Sequence, residues 1–214
     1  MRLVAITDLH GNLEMVEKFS SRLSAEDFDA LLIAGDVTNF SGAETARRIL
    51  GPLLELGKPI IAVHGNCDGR DVPELLEELG ISVHNKRVEL NGLGVVGVGG
   101  SNITPFNTIW ELTEEEIHGI LERNYQKGDV ILSHAPPYNT VTDKVRSGLH
   151  VGSKALRSFI EERQPPLVIC GHIHEARGVD RIGETTVINP GPLFKGYYAI
   201  IEVGEEINAM LERL

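Results

Sequence analysis

Short apolar runs, each closed by a small or polar residue, recur at residues 3–6, 30–34, 60–63, 93–98, 130–132 and 167–170. Their brevity and β-branched content predict buried strands rather than helices. Between the early runs the apolar positions take up a helical period. In 12–23, Leu13, Val16, Phe19 and Leu23 share one face, and in 43–56 Ala46, Ile49, Leu50, Leu53 and Leu54 do the same. Pro52 falls inside the second stretch and predicts a kink or a break there. A short acidic helix fits 72–79, with Pro73 in its first turn. The first third therefore reads as βαβαβ, a mostly parallel sheet covered by helices.

The second half repeats the pattern more loosely. A helix over 113–125 opens on Thr113 with Glu116 three residues later, the capping-box spacing. A second, over 153–162, stops before Pro165 and Pro166. The tail alternates as antiparallel strands at 178–182, 185–188, 197–203 and 207–211, with turns at Gly183–Glu184 and Gly204–Glu205. The two halves predict two packed sheets in one domain over 1–214.

Composition narrows the class. Hydrophobic residues at 42% and charged residues at 24% are ordinary for a globular chain of 214 residues. The net charge of −11 repels phosphate backbones and argues against broad nucleic-acid binding. A small phosphorylated substrate stays compatible, because divalent cations would invert the field locally. Cys67 and Cys170 make no disulfide framework, the N-terminal apolar run is too short for a signal peptide, and no run reaches about 18 apolar residues. These features predict a soluble, cytoplasmic protein with no membrane partner; homo-oligomerisation is left open.

The informative feature is where polar residues fall relative to the strands. Asp8 and His10 follow the first strand, Asp36 the second and Asn66 the third; His134 follows the strand at 130–132, and His172 and His174 the strand ending at 170. Open α/β sheets place their sites beyond the carboxyl ends of strands, so seven ligand-type residues would meet in one crevice. Two divalent ions about 3.5–4 Å apart need a ligand that touches both, which a carboxylate can do and a neutral imidazole cannot. Asp36 is the candidate bridge. The mixed nitrogen and oxygen set suits Mn²⁺, with Ni²⁺, Fe²⁺, Co²⁺ or Zn²⁺ as alternatives, better than Ca²⁺ or Mg²⁺.

Asp8-Leu9-His10, Gly35-Asp36, Gly65-Asn66-Cys67-Asp68, His134 and Gly171-His172-Ile173-His174, in that order, resemble the signature of the calcineurin-like metallophosphoesterases, in particular their small archaeal and bacterial members. The resemblance implies an α/β fold, a four-layer αββα sandwich of two mixed sheets with no inserted cap domain. It also implies one metal on Asp8, His10, Asp36 and His174, and another on Asp36, Asn66, His134 and His172. A hydroxide bridging the two metals would then attack phosphorus, making the chain a phosphoric ester hydrolase.

One position departs from the family. The residue after its Asn is usually a His that helps the leaving group; here it is Cys67, which with the following Asp68 is a candidate catalytic residue. A thiol beside two cations should lose its proton more readily and serve poorly as an acid. That favours phosphodiesters with undemanding leaving groups, or a donor from elsewhere. His150, before the helix at 153, is a candidate donor or an ordinary loop residue beside an N-cap. Asn102 and Thr104 in GGSNITPF are candidate substrate contacts or turn residues. The competing reading is a metal-binding interaction scaffold with weak or no catalysis. A β-lactamase-type metallohydrolase needs an HxHxDH run, which is absent.

Overall fold

The computed structural model describes residues 1–214. In the first third, β1 (Arg2–Ile6), β2 (Ala30–Ala34) and β3 (Ile60–Val63) alternate with α1 (Leu13–Leu23), α2 (Ala43–Leu54) and α3 (Val72–Glu78). A hairpin of β4 (Arg87–Leu90) and β5 (Leu93–Val98) follows. Next come β6 (Ser101–Asn102), β7 (Glu111–Leu112), α4 (Glu114–Asn124) and β8 (Val130–Ser133). The chain finishes with α5 (Lys154–Arg163), β9 (Leu167–Ile169), β10 (Gly178–Ile182), β11 (Thr185–Asn189), β12 (Tyr197–Val203) and β13 (Ile207–Arg213).

The strands form two large mixed sheets, ordered β13-β12-β1-β2-β3 and β10-β11-β9-β8-β5-β4, beside a small β6–β7 pair. Strand alternation decides which face packs where. Leu3 and Ala5 of β1 and Leu32 of β2 meet Leu132, Leu167 and Ile188 in the seam between the sheets. Val4, Ile6, Leu31 and Ile33 turn outward onto Val16, Phe19, Ile49 and Leu75 of α1–α3. On the far side, Val96, Ile131 and Val168 pack on Ile117, Leu121, Leu156 and Phe159 of α4 and α5. The order helix, sheet, sheet, helix is the expected four-layer sandwich.

The two sheets are not the two halves of the chain. Residues 197–213 return to the first sheet, where β12 pairs antiparallel with β1, whereas β11 joins β9 in parallel in the second. The return covers the edge that β1 would otherwise leave open. The hairpin strand β4 has only two apolar residues in four, too few for periodicity to find it. At its turn, Asn91 and Gly92 both take positive φ, 49° and 85°, as the tight hairpin turn requires. Pro52 neither breaks nor ends α2, which runs on to Leu54. The bond it forfeits lies in the last turn, beside exposed Arg48, where water can serve the freed carbonyl.

The helix starts are held as the spacing predicts. Asn12 accepts from Met15 N, the Thr113–Glu116 capping box closes in both directions, and Ser153 accepts from Leu156 N. No helix is long and apolar enough to cross a membrane. Leu32→Ala in the seam should lower the unfolding free energy by about 2–5 kcal/mol, and Met210→Ala, on an exposed edge strand, by less than about 0.5 kcal/mol; chemical denaturation measures both.

Candidate metal centre

Strands β1, β2 and β3 are mutually parallel, as are β8 and β9, so their carboxyl ends lie on one side of each sheet. The loops leaving them are laced together through the backbone. Asp8 N donates to Gly35 O, Leu9 N and His10 N to Asp36 O, and Gly171 N to His134 O. The sheets are joined by His134, whose Nδ1 lies 2.6 Å from Ala34 O. That carbonyl can only accept, so Nδ1 carries the proton and Nε2 faces the crevice.

Each of the two acidic residues has one oxygen pinned and one aimed. Asp8 Oδ2 accepts from His172 N at 3.2 Å, with the Thr7 hydroxyl 3.1 Å away. Its Oδ1 is buried with no hydrogen-bond partner and stands 3.4 Å from His174 Nε2 and 3.9 Å from His10 Nε2. Asp36 Oδ1 accepts from Cys67 N at 2.8 Å. Its Oδ2 stands 3.6 Å from His10 Nε2 and 3.5 Å from His134 Nε2. His10 and His174 bring their Nε2 atoms within 3.0 Å of each other, and Asn66 Oδ1 lies 2.9 Å from His134 Nε2.

Two sets of ligand atoms cluster within 4.8 Å: Asp8, His10 and His174, and Asp8, Asp36 and His134. Asn66 joins through His134, and the His172 ring sits edge-on to that of His134 at 5.1 Å. All seven predicted ligand residues are therefore brought together at these strand ends. An orphaned buried carboxylate oxygen facing imidazole nitrogens is the environment a divalent cation satisfies, so the donor set fits metal.

The backbone is held in an uncommon conformation to do this. Asp8, His10, Asp36 and His172 have φ of 52°, 47°, 52° and 67°, the left-handed region. Gly65 makes room for Asp36: a Cβ there would stand 2.0 Å from Asp36 Oδ1. Electrostatics follow from burial. Desolvation alone would raise Asp36, but His134 and His10 beside it hold it well below the usual carboxylate range. Burial opposes charge on His134, yet Asp36 outweighs it and lifts the imidazole. Burial, together with the charge of His134, pushes His172 down to about 4, because the opposing pull of Asp36 and Asp8 is too weak to offset it.

The remaining predicted residues are placed differently. Cys67 lies beside Asn66, whose Nδ2 is 3.5 Å from Sγ; burial and the charges of Asp36, Asp68 and Asp8 push the thiol up. The chain's own groups thus oppose the ionisation that nearby cations would favour. Asp68 is fully buried and accepts from Val37 N, Thr38 N, Thr38 Oγ1 and Gly65 N, tying the second and third ligand loops together. His150 pairs with Asp143 at 2.6 Å, and none of its hydrogen bonds or ion pairs reaches the ligand cluster. Asn102 donates to Val151 O, and the Thr104 hydroxyl is engaged by Glu111 at 2.6 Å.

Sequence reasoning missed Asn189 and Phe194. Asn189 is buried at the end of β11 and its Nδ2 reaches Ile173 O at 3.1 Å and Gly171 O at 3.5 Å, steadying the His172–His174 loop. A polar residue closing a strand was the signal, as at the ligand positions. Phe194 packs edge-on against His10 and His174 and shares the mouth of the crevice, a cavity of about 370 Å³, with Asn12 and Asn39.

A family model described as calcineurin-like phosphoesterase matches residues 1–176. Over 209 residues the chain is 41% identical to an uncharacterized protein of Methanocaldococcus jannaschii, covering 92% of this chain and 90% of that one. A solved structure of a Thermus thermophilus protein superposes with a TM-score of 0.75 at 22% identity, over 98% of this chain and 97% of the other. A Danio rerio protein described as a dimetal phosphatase does so with a TM-score of 0.70 at 12% identity, over 98% of each chain. At these identities the two structures show a shared fold.

A cation bound only by the folded state stabilises it. Mn²⁺ at about 100 times its dissociation constant should add about 2.7 kcal/mol, a rise in melting temperature of roughly 5–11 °C for a chain of this size. In Asp8→Ala that metal-dependent rise should largely vanish in a thermal-shift assay; equal rises in both proteins would place the metal elsewhere.

Proposed function

The chain belongs to the calcineurin-like phosphoesterase family, and from that premise we propose that it hydrolyses phosphate esters with two divalent cations, phosphodiesters in preference to monoesters. The observation that carries this reading is Asp36 Oδ2, 3.6 Å from one imidazole nitrogen and 3.5 Å from another. His10 comes from the first sheet and His134 from the second, and Asp36 is the carboxylate both face. Asp8, His10 and His174 would complete one metal's ligands with Asp36, and Asn66, His134 and His172 the other's. Mn²⁺ is the favoured ion for this nitrogen–oxygen set. Two such cations supply Lewis acidity, activating water at neutral pH and offsetting charge on the phosphoryl oxygens.

The protein's own groups set the geometry. Ala34 O fixes the His134 tautomer, His172 N and Cys67 N each hold one carboxylate oxygen, and Asp68 positions the loops that carry Asp36 and Asn66. With its oxygens occupied by four donors, Asp68 acts as a positioning residue. Cys67 supports the preference for diesters: a thiol is a weak hydrogen-bond donor to a departing alkoxide, so alcohols that leave unprotonated are favoured. A phosphate ester enters through the open mouth beside Asn12, Asn39 and Phe194.

With Mn²⁺ and aryl phosphodiester and phosphomonoester substrates, Asp36→Asn should lower kcat by at least about 100-fold while circular dichroism shows the fold intact. Equal residual activity in the two proteins sinks the two-metal mechanism and favours a scaffold. Cys67→His should raise turnover of diesters with alkyl leaving groups by about tenfold or more, and no gain would count against the donor argument.

A further inference from the structure

A second cavity, of about 440 Å³, adjoins the metal centre and differs from it in chemistry. Ile103 and Phe106 line it from the loop after β6, and Val145 and Val151 from the loop before α5; His172 belongs to its wall as well as to the ligand set. Ile103 is 66% exposed and Phe106 80% exposed, so large apolar side chains are held in water around an opening.

The two walls are built. Glu111 accepts from the backbone and hydroxyl of both Thr104 and Thr108, pinning the first loop. Asp143, fully buried, accepts from Asn139 N, Thr140 N and Gly152 N and pairs with His150, pinning the second. Asn102 Nδ2 donates to Val151 O at 3.0 Å and joins the two. The Thr104 hydroxyl on this wall is already committed to Glu111, so it is poorly placed to recognise a base edge or a sugar. A preformed apolar pocket of this size selects hydrocarbon.

We propose that this cavity is the subsite for an uncharged apolar group, aryl or branched alkyl, esterified to the phosphate at the metal centre, with Phe106 and Val151 as specificity-determining residues. The occupant follows from continuity: a group leaving the phosphate on the His172 side enters directly between these walls. The inference rests on the hydrolase reading for the phosphate half of the ligand and on the cavity alone for the apolar half.

Non-hydrolysable phosphonates test it on the Mn²⁺-loaded protein. Calorimetry should show phenylphosphonate binding about tenfold or more tighter than methylphosphonate, as burial of a ring requires. Phe106→Ala and Val151→Asn should each bring that ratio to within about twofold, and Met210→Ala, on a distant edge strand, should leave it as found. Equal affinity for the two phosphonates, or a ratio unaltered in both subsite variants, overturns the proposal. A metal-free arm separates it from the hydrolase reading: phenol should shift the methyl resonances of Ile103, Val145, Val151 and Ile173. Those shifts without hydrolysis of any ester would sink the hydrolase reading and leave the subsite standing. Hydrolysis without them, or a concentration-dependent dimer that buries Phe106, would overturn the subsite alone.

Discussion

Two carboxylates buried where the sheets meet govern the rest of this structure. Asp8 is 0% exposed and Asp36 2%, and each gives one oxygen to backbone N–H groups while the other faces imidazole nitrogens. Burying unpaired charge costs several kcal/mol per ion unless an opposite charge and good hydrogen bonds accompany it. Within the chain the compensation is partial: His134 is held towards its charged form by Asp36, and Asp8 Oδ1 stays without a hydrogen-bond partner. Divalent cations would complete the balance, which is why the donor set fits metal.

The sandwich exists at this place because helices and sheets leave one end free. Helices α1–α3 and α4–α5 cover the outer faces, and the apolar seam holds the two sheets together. The carboxyl ends of β1, β2, β3, β8 and β9 are left to loops that hydrogen-bond one another. Those loops accept left-handed backbone at four candidate ligand residues, each costing about 1–3 kcal/mol for a non-glycine side chain. Such a conformation persists only where its surroundings over-determine it. Here they do so through the Asp68 clasp, the Asn189 amide and the His134–Ala34 contact.

The same economy appears one layer out. Buried Asp143 and partly buried Glu111 organise the loops beside the metal centre as Asp68 organises the loops within it. Acidic side chains accepting several backbone donors let short loops hold a shape without secondary structure of their own. The negative charge of the chain is therefore partly internal architecture, and only in part a solvated surface.

Much was legible in the chain by itself. Runs such as 30–34 are apolar on both faces, which only a strand covered on both sides tolerates, and the polar residue after each run marks where that cover ends. That is why Asp8, Asp36, Asn66, His134 and His172 stand out in the sequence by itself: their signal is local, carried by strand ends and adjacent glycines. Tertiary structure alone decided the rest. The sheet that the last two strands join depends on which edge is open, so residues 197–213 returned to β1 without any local sign. Asp68 is marked in the sequence by its place two residues after Asn66, but its hydrogen bond with Thr38, some thirty residues away in sequence, is set by the fold alone. The contacts of the Asn189 amide and the apolar wall at Val151 belong to the same class, since loop-to-loop contacts have no period along the chain. A sequence declares which residues can bury or bind; only the folded chain determines which of them meet, because meeting depends on partners that local pattern does not encode.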